Sequence, residues 1–134
     1  MISGQEKRTA GGVDDLMVFR RAYALSLDLH RASLTWPGVE QRGGIAEQVR
    51  RSSKSVCALL IEGGGRLRRS RLEFARYLVM ALGSADETRL WCRYAEDLGY
   101  ATPGQAATWR RSCEEIARML QGLLARQGRA SSDH

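Results

Sequence analysis

Proline is scarce: the 134 residues hold two, Pro37 and Pro103. Long stretches therefore run without the residue that most strongly breaks a helix. No apolar run approaches the roughly 18 residues of a membrane span, which argues against a transmembrane chain. The first residues, Met1 to Val13, are polar and include Lys7 and Arg8. They have no apolar centre of the kind a secretory signal needs, so the cytoplasm is the expected compartment. Cysteine is limited to Cys57, Cys92 and Cys113, with no C-x-x-C spacing, and histidine to His30 and His134. That inventory argues against a zinc site and a disulfide framework and suits reduced, buried thiols. Lysine is nearly absent, two against nineteen arginines. Such a bias also follows from genomic base composition, so arginine preference by itself is not read as phosphate specificity.

With 43% hydrophobic and 27% charged residues, the composition is that of a globular domain able to bury a core without staples. The net charge of +6 is unevenly placed. Residues 1–41 are neutral overall, and residues 42–76 carry nine basic against three acidic side chains. Residues 77–109 sum to −2 and residues 110–134 to +2. A basic excess confined to one stretch points to a polyanionic partner; its bland alternative is a solvated surface that aids solubility.

Apolar positions recur at helical spacing in four segments. The first, from about Asp14 to Leu34, has the line Leu16, Phe19, Tyr23, Leu27, His30, Leu34 and a second line Val18, Ala22, Leu25, Leu29, Ala32. Asp14 and Asp15 suit its first turn, and Thr35-Trp36-Pro37-Gly38 breaks it. The second runs from about Gly44 to Glu62, with Gly63-Gly64-Gly65 as its expected left-handed C-cap. The third opens on the capping box Ser70-Arg71-Leu72-Glu73, follows Phe74, Leu78, Ala81, Ala85, Thr88, Cys92 and Ala95, and stops at Leu98-Gly99-Tyr100. The fourth starts with Thr102 as N-cap and Pro103 in the first helical position, then follows Ala106, Trp109, Cys113, Ile116, Leu120 and Leu123. No alternating pattern competes. Short connections make neighbours antiparallel, so the expected fold is all-α: an up-down-up-down four-helix bundle over residues 14–126, between a flexible N-terminal segment, 1–13, and a flexible tail, 127–134. Extra apolar residues on the first and third segments point to self-association.

No catalytic constellation stands out. His30 lies on an apolar line, which favours a packed, satisfied imidazole over a general base. Gly63-Gly64-Gly65-Arg66 lacks the lysine of a phosphate loop and follows a helix, not a strand. Glu62, Glu73 and Glu87 lack the Glu-x-x-His pairs of a di-iron bundle; Glu62 is expected to pair with an arginine of a neighbouring helix. Trp36, Trp91 and Trp109 sit beside or within the apolar lines, so core packing outweighs stacking on bases. Neither an enzyme nor a metal or other cofactor is indicated. What remains is basic: Arg50, Arg51 and Lys54 off the apolar line of the second segment, and Arg66, Arg68, Arg69 and Arg71 crowding the link that follows. Four arginines in six residues repel one another unless an anion is near, and their contacts with phosphates would be salt-dependent.

The second segment reads Glu47-Gln48-Val49-Arg50-Arg51-Ser52-Ser53-Lys54-Ser55-Val56, then Ile61-Glu62-Gly63-Gly64-Gly65-Arg66. It resembles the bacterial four-helix-bundle proteins associated with intervening sequences of large-subunit ribosomal RNA, whose hallmark is Q-[LI]-R-R-[AS]-x-x-S-[IV] followed by N-I-A-E-G-x-G-R. Asp15-Leu16-Met17-Val18-Phe19-Arg20-Arg21-Ala22-Tyr23, Glu73-Phe74, Ala81-Leu82-Gly83-Ser84-Ala85-Asp86-Glu87 and Leu98-Gly99-Tyr100 extend the resemblance over about residues 14–126. Leu59 and Ile61 depart from it, replacing the motif's asparagine and alanine. The resemblance implies an antiparallel bundle assembled as a homopentamer. A related branch, the accessory variability proteins of diversity-generating retroelements, is similar in size and charge and works with a reverse transcriptase and its template RNA. The expected function is a non-enzymatic oligomer that binds nucleic acid, RNA more than DNA, through Arg50, Arg51, Lys54, Arg66, Arg68, Arg69 and Arg71. The alternative is a protein-interaction module with no direct nucleic-acid role.

Overall fold

The structure is a computed structural model that describes residues 16–66 and 70–132. Among these residues four helices follow one another: α1 (Met17–Ser33), α2 (Ile45–Arg66), α3 (Arg71–Asp97) and α4 (Pro103–Ser132), with a 3-10 turn at Gly38–Glu40 between the first two. Consecutive helices pack together and α1 closes onto α4, so the four surround one core. Among the described residues there is no strand, and no helix is long and apolar enough to cross a membrane. The expected four-helix, all-α bundle is therefore the observed one.

Helices α3 and α4 bury the lines their periodicity gives: Phe74, Leu78, Ala81, Ala85, Thr88, Cys92 and Ala95 from one, and Ala106, Trp109, Cys113, Ile116, Leu120 and Leu123 from the other. Their ends also follow local chemistry. Ser70 Oγ accepts from the Glu73 amide at 3.1 Å. The reciprocal half of the box is not made, because the Ser70 amide donates to the Arg66 carbonyl instead. Ser70→Ala is thus expected to cost about 1 kcal/mol in a denaturant melt, while Glu73→Gln leaves the midpoint in place. Helix α3 ends at Gly99, whose φ of 81° is the left-handed conformation a C-cap needs, with the Tyr100 amide donating to the Ala95 carbonyl. Thr102 Oγ1 accepts from the Gln105 amide and Gln105 Oε1 from the Thr102 amide, a complete capping box on α4.

Helix α1 reverses the expectation. Val18, Ala22, Leu25 and Leu29 face the core, whereas Tyr23 and Leu34 of the other line are 51% and 58% exposed. Two apolar lines at helical spacing do not reveal which one faces inward. Here the inner flank carries small residues, Ser26 and Ser33, whose hydroxyls donate to the carbonyls of Tyr23 and His30. Both buried hydroxyls are thereby satisfied within the helix. His30 accordingly lies half-buried at the rim, not packed in the core. Asp14 and Asp15 lie outside the described residues, as do residues 1–13. The far end of α4 continues past residue 126, with Gln127 buried.

The glycine triplet also behaves differently from expectation. Gly63, Gly64 and Gly65 lie within the last turn of α2, not beyond it as a cap, and none has a positive φ. Gly63 is buried where α2 meets α3: a Cβ there would lie 2.7 Å from Tyr77 Cβ. Residues on either side of it hold the tyrosine. Tyr77 donates its hydroxyl proton to Glu62 Oε2 at 3.1 Å, and the Arg66 guanidinium sits 5.9 Å above the ring. Glu62 pairs with Arg66 of its own helix, at 3.8 Å, not with an arginine of a neighbour.

Between α1 and α2 the chain is locked by side chains. Glu40 accepts from the Ile45 amide and from the Tyr100 hydroxyl. Gln41 donates to the carbonyls of Ser33 and Trp36. Trp36 and Trp109 are buried against each other, and Trp109 Nε1 donates to Asp28 at 2.7 Å. All three cysteines are free thiols. Burial pushes Cys57 up from its ordinary value and Cys113 up to about 12, which makes them poor nucleophiles.

Candidate nucleic-acid interface

Helix α2 buries Ile45, Ala46, Val49, Ser52, Ser53, Val56 and Leu60. Its opposite pole must therefore present residues offset by half a turn, and Arg51 and Lys54 occupy it, both exposed. Arg50 lies towards α1. Its guanidinium donates to Ser33 Oγ at 2.8 Å and to Gln41 Oε1 at 3.1 Å, so it braces the α1–α2 connection. Lys54 Nζ lies 2.9 Å from His30 Nδ1 across the same seam. Arg51 borders a groove of about 270 Å³ shared with Gln48, Ser52 and Ser55 of α2 and with Ser84 and Glu87 of α3.

The other candidates stand apart. Arg66 is fifteen residues from Arg51, about 22 Å along the helix, and is engaged with Glu62 and the Tyr77 ring. Arg71 donates to Gln127 Oε1 at 3.1 Å, tying α3 to α4. Arg68 and Arg69 lie outside the described residues. The structure thus brings Arg50, Arg51 and Lys54 together and sets Arg66 and Arg71 at the opposite end of α2.

None of Arg50, Arg51 and Lys54 forms an ion pair with a described carboxylate, whereas Arg21, Arg89, Arg93 and Arg110 of the other helices do. Arg21 pairs with Glu115, Arg89 with Glu114, and Arg110 with Glu96. The acidic groups nearest in sequence are otherwise engaged: Glu47 accepts from the Gly43 amide and Glu40 from Ile45 and Tyr100. A roomier groove, about 430 Å³ between α3 and α4, is lined by Asp86, Arg89, Arg93, Glu96, Asp97 and Arg110. There the signs cancel, so it offers a polyanion no net attraction.

Sequence reasoning passed over two members of the α2 cluster, His30 and Arg31. His30 was expected in the core. Its imidazole is held below the ordinary histidine value, first by burial and then by the positive charges of Lys54, Arg50 and Arg31. The signal was its register: His30 and Ser33 lie on the α1 flank that meets Arg50 and Lys54, which only the bundle reveals. Of the tryptophans, Trp36 and Trp109 are core residues, and Trp91 is half-buried and donates to Glu87. The exposed aromatic rings are Tyr23 and Tyr94. No cluster of His, Cys, Asp and Glu among the described residues is arranged to hold a metal ion.

Comparison with known proteins adds a family model and a similar solved structure. The family model described as 23S rRNA-intervening sequence protein matches residues 14–122. A crystal structure of a protein of unknown function from the S23 ribosomal protein family of Bacteroides thetaiotaomicron superposes with a TM-score of 0.72. The two are 21% identical over 81% of this chain and 98% of that one. That likeness shows a shared fold. No curated protein sequence matches this chain.

Proposed function

The chain belongs to the 23S rRNA-intervening sequence protein family, and we propose that it is a non-enzymatic, self-associating bundle that binds nucleic acid through the outer face of α2 and the loop after it. The observation that carries this is the cluster of Arg50, Arg51 and Lys54, with which no described carboxylate forms an ion pair. RNA is proposed over DNA because the family's description names a ribosomal RNA. A place beside a reverse transcriptase, with its template RNA as the polyanion, is the narrower form of the same proposal. Titration of the purified protein against a labelled structured RNA at several salt concentrations, with an acidic protein as competitor, tests it. Binding that weakens steeply with salt is the expected result. Absence of binding at low salt rejects it and leaves a protein-docking surface.

Self-association is supported by the apolar residues that α3 turns away from the core. Leu72, Val79, Leu90 and Tyr94 are each about half exposed or more and share one face at helical spacing. On the far side of the bundle, α1 exposes Tyr23, Leu27 and Leu34. Two different apolar faces on opposite sides fit a head-to-tail contact, the kind that gives a ring when the rotation between copies completes a circle. A homopentamer predicts a light-scattering mass of five 14.9 kDa protomers. Leu90→Glu is expected to reduce that mass to one protomer without altering helix content.

A further inference from the structure

The seam between α1 and α2 gathers positive groups in a fixed arrangement. Arg50 is held by Ser33 Oγ and Gln41 Oε1. Ser33 Oγ in turn donates to the His30 carbonyl, which fixes the guanidinium within a turn of the imidazole. Lys54 reaches the same ring, its ammonium donating to Nδ1 at 2.9 Å. Arg31 adds a further charge from α1. The carboxylates of α1 and of α4, which packs on its other flank, are engaged elsewhere: Asp28 of α1 accepts from Trp109, and Glu115 and Glu114 of α4 pair with Arg21 and Arg89. The charged groups acting on His30 are therefore Lys54 and Arg50 from α2 and Arg31 from α1, all of one sign.

An ammonium that donates to a neutral imidazole lacks a better acceptor. An oxyanion supplies one, since it adds the attraction between opposite charges to a hydrogen bond that the ammonium otherwise makes to an uncharged ring. We propose that this seam is a phosphate-oxyanion site coupled to a proton: a seated oxyanion takes the Lys54 and Arg50 donors, and His30 takes up one proton from solvent and donates to the same anion. The proposal rests on the reading of this face as an anion surface and adds its chemistry. In the free protein three positive neighbours oppose protonation of His30; the bound anion reverses that balance. Affinity then rises as the pH falls through the bound-state value of His30 and levels off below its free-state value.

The test is an NMR titration of the full-length protein, following the two histidines, His30 and His134, across pH. The probes are a 5′-hydroxyl oligouridylate and sodium sulfate, with sodium chloride at equal ionic strength as control. Both probes keep a constant charge over the range, so a change belongs to the protein. The His30 midpoint is expected to rise by about one pH unit, and oligouridylate binding to be about tenfold tighter at pH near 5.5 than near 8. His30→Gln is expected to keep the helix content and lose that pH dependence. A shift with oligouridylate alone identifies polynucleotide phosphates as the source; a shift with sulfate as well extends the site to free oxyanions. If oligouridylate binds while His30 does not move, the proton coupling is overturned and the nucleic-acid reading stands. If sulfate moves His30 but oligouridylate does not bind, the site stands and the nucleic-acid reading falls. An unmoved His30 with both probes, or a His30→Gln protein that keeps the pH dependence, overturns the proposal.

Discussion

Replacing Gly63 by valine is expected to lower the stability of the protein by about 3 kcal/mol, the upper end of the cost of overpacking a core. For a domain of this size that is a fall of about 10 °C in the thermal midpoint. The cause is contact distance: a single Cβ at this position meets Tyr77 Cβ at 2.7 Å, well inside van der Waals contact. The tyrosine has little freedom to retreat, because Glu62 accepts from its hydroxyl and Arg66 covers its ring. Gly65, two residues on, is the control. Nothing lies within 4 Å of a Cβ built there, so Gly65→Ala is expected to raise stability by up to about 1 kcal/mol through helix propensity alone. Circular-dichroism melts of both variants decide the matter. A Gly63→Val protein that melts with the wild type would show that α2 and α3 do not meet as described.

The second large effect is on binding. Arg51→Glu combined with Lys54→Glu is expected to weaken RNA affinity by about two orders of magnitude at low salt. The same change flattens the dependence of affinity on salt by about one and a half in logarithmic slope, as for two lost phosphate contacts. Both side chains are exposed, and neither is paired with a described carboxylate, so the substitutions should leave the melting midpoint nearly unchanged. Arg66→Gln supplies the contrast. Its guanidinium is engaged by Glu62 and Tyr77, so its loss is expected to lower the midpoint and leave the salt slope almost intact. If instead the Arg66 variant flattens the slope and the α2 pair does not, the interface lies at the far end of the helix.

These two predictions separate residues that the sequence groups together. Glu62, Gly63 and Arg66 fall in a stretch that matches a family motif, and the crowd of arginines around it marks Arg66 as a candidate phosphate ligand. In the structure the three residues form a clasp on Tyr77, eleven residues further along the chain from Arg66. The glycine is small because two helices meet there, and the arginine packs over a ring. A motif can hold a packing constraint and a binding residue side by side, and residue type does not distinguish them.

The sequence by itself determined the number of helices, their order and most of their ends. Those are local matters: Ser70, Thr102 and Gly99 act on backbone groups a few residues away, and a single apolar line per helix, as in α4, has one way to face inward. It also determined that the basic excess lies between residues 42 and 76. Only the tertiary structure decided which of two apolar lines α1 buries, that α2 continues through its glycines, and which cations stay available. Each of those outcomes depends on a partner distant in the chain. Ser33 and Gln41 engage Arg50, Tyr77 engages Arg66, Gln127 engages Arg71, and His30 meets Lys54 only where α1 and α2 pack side by side.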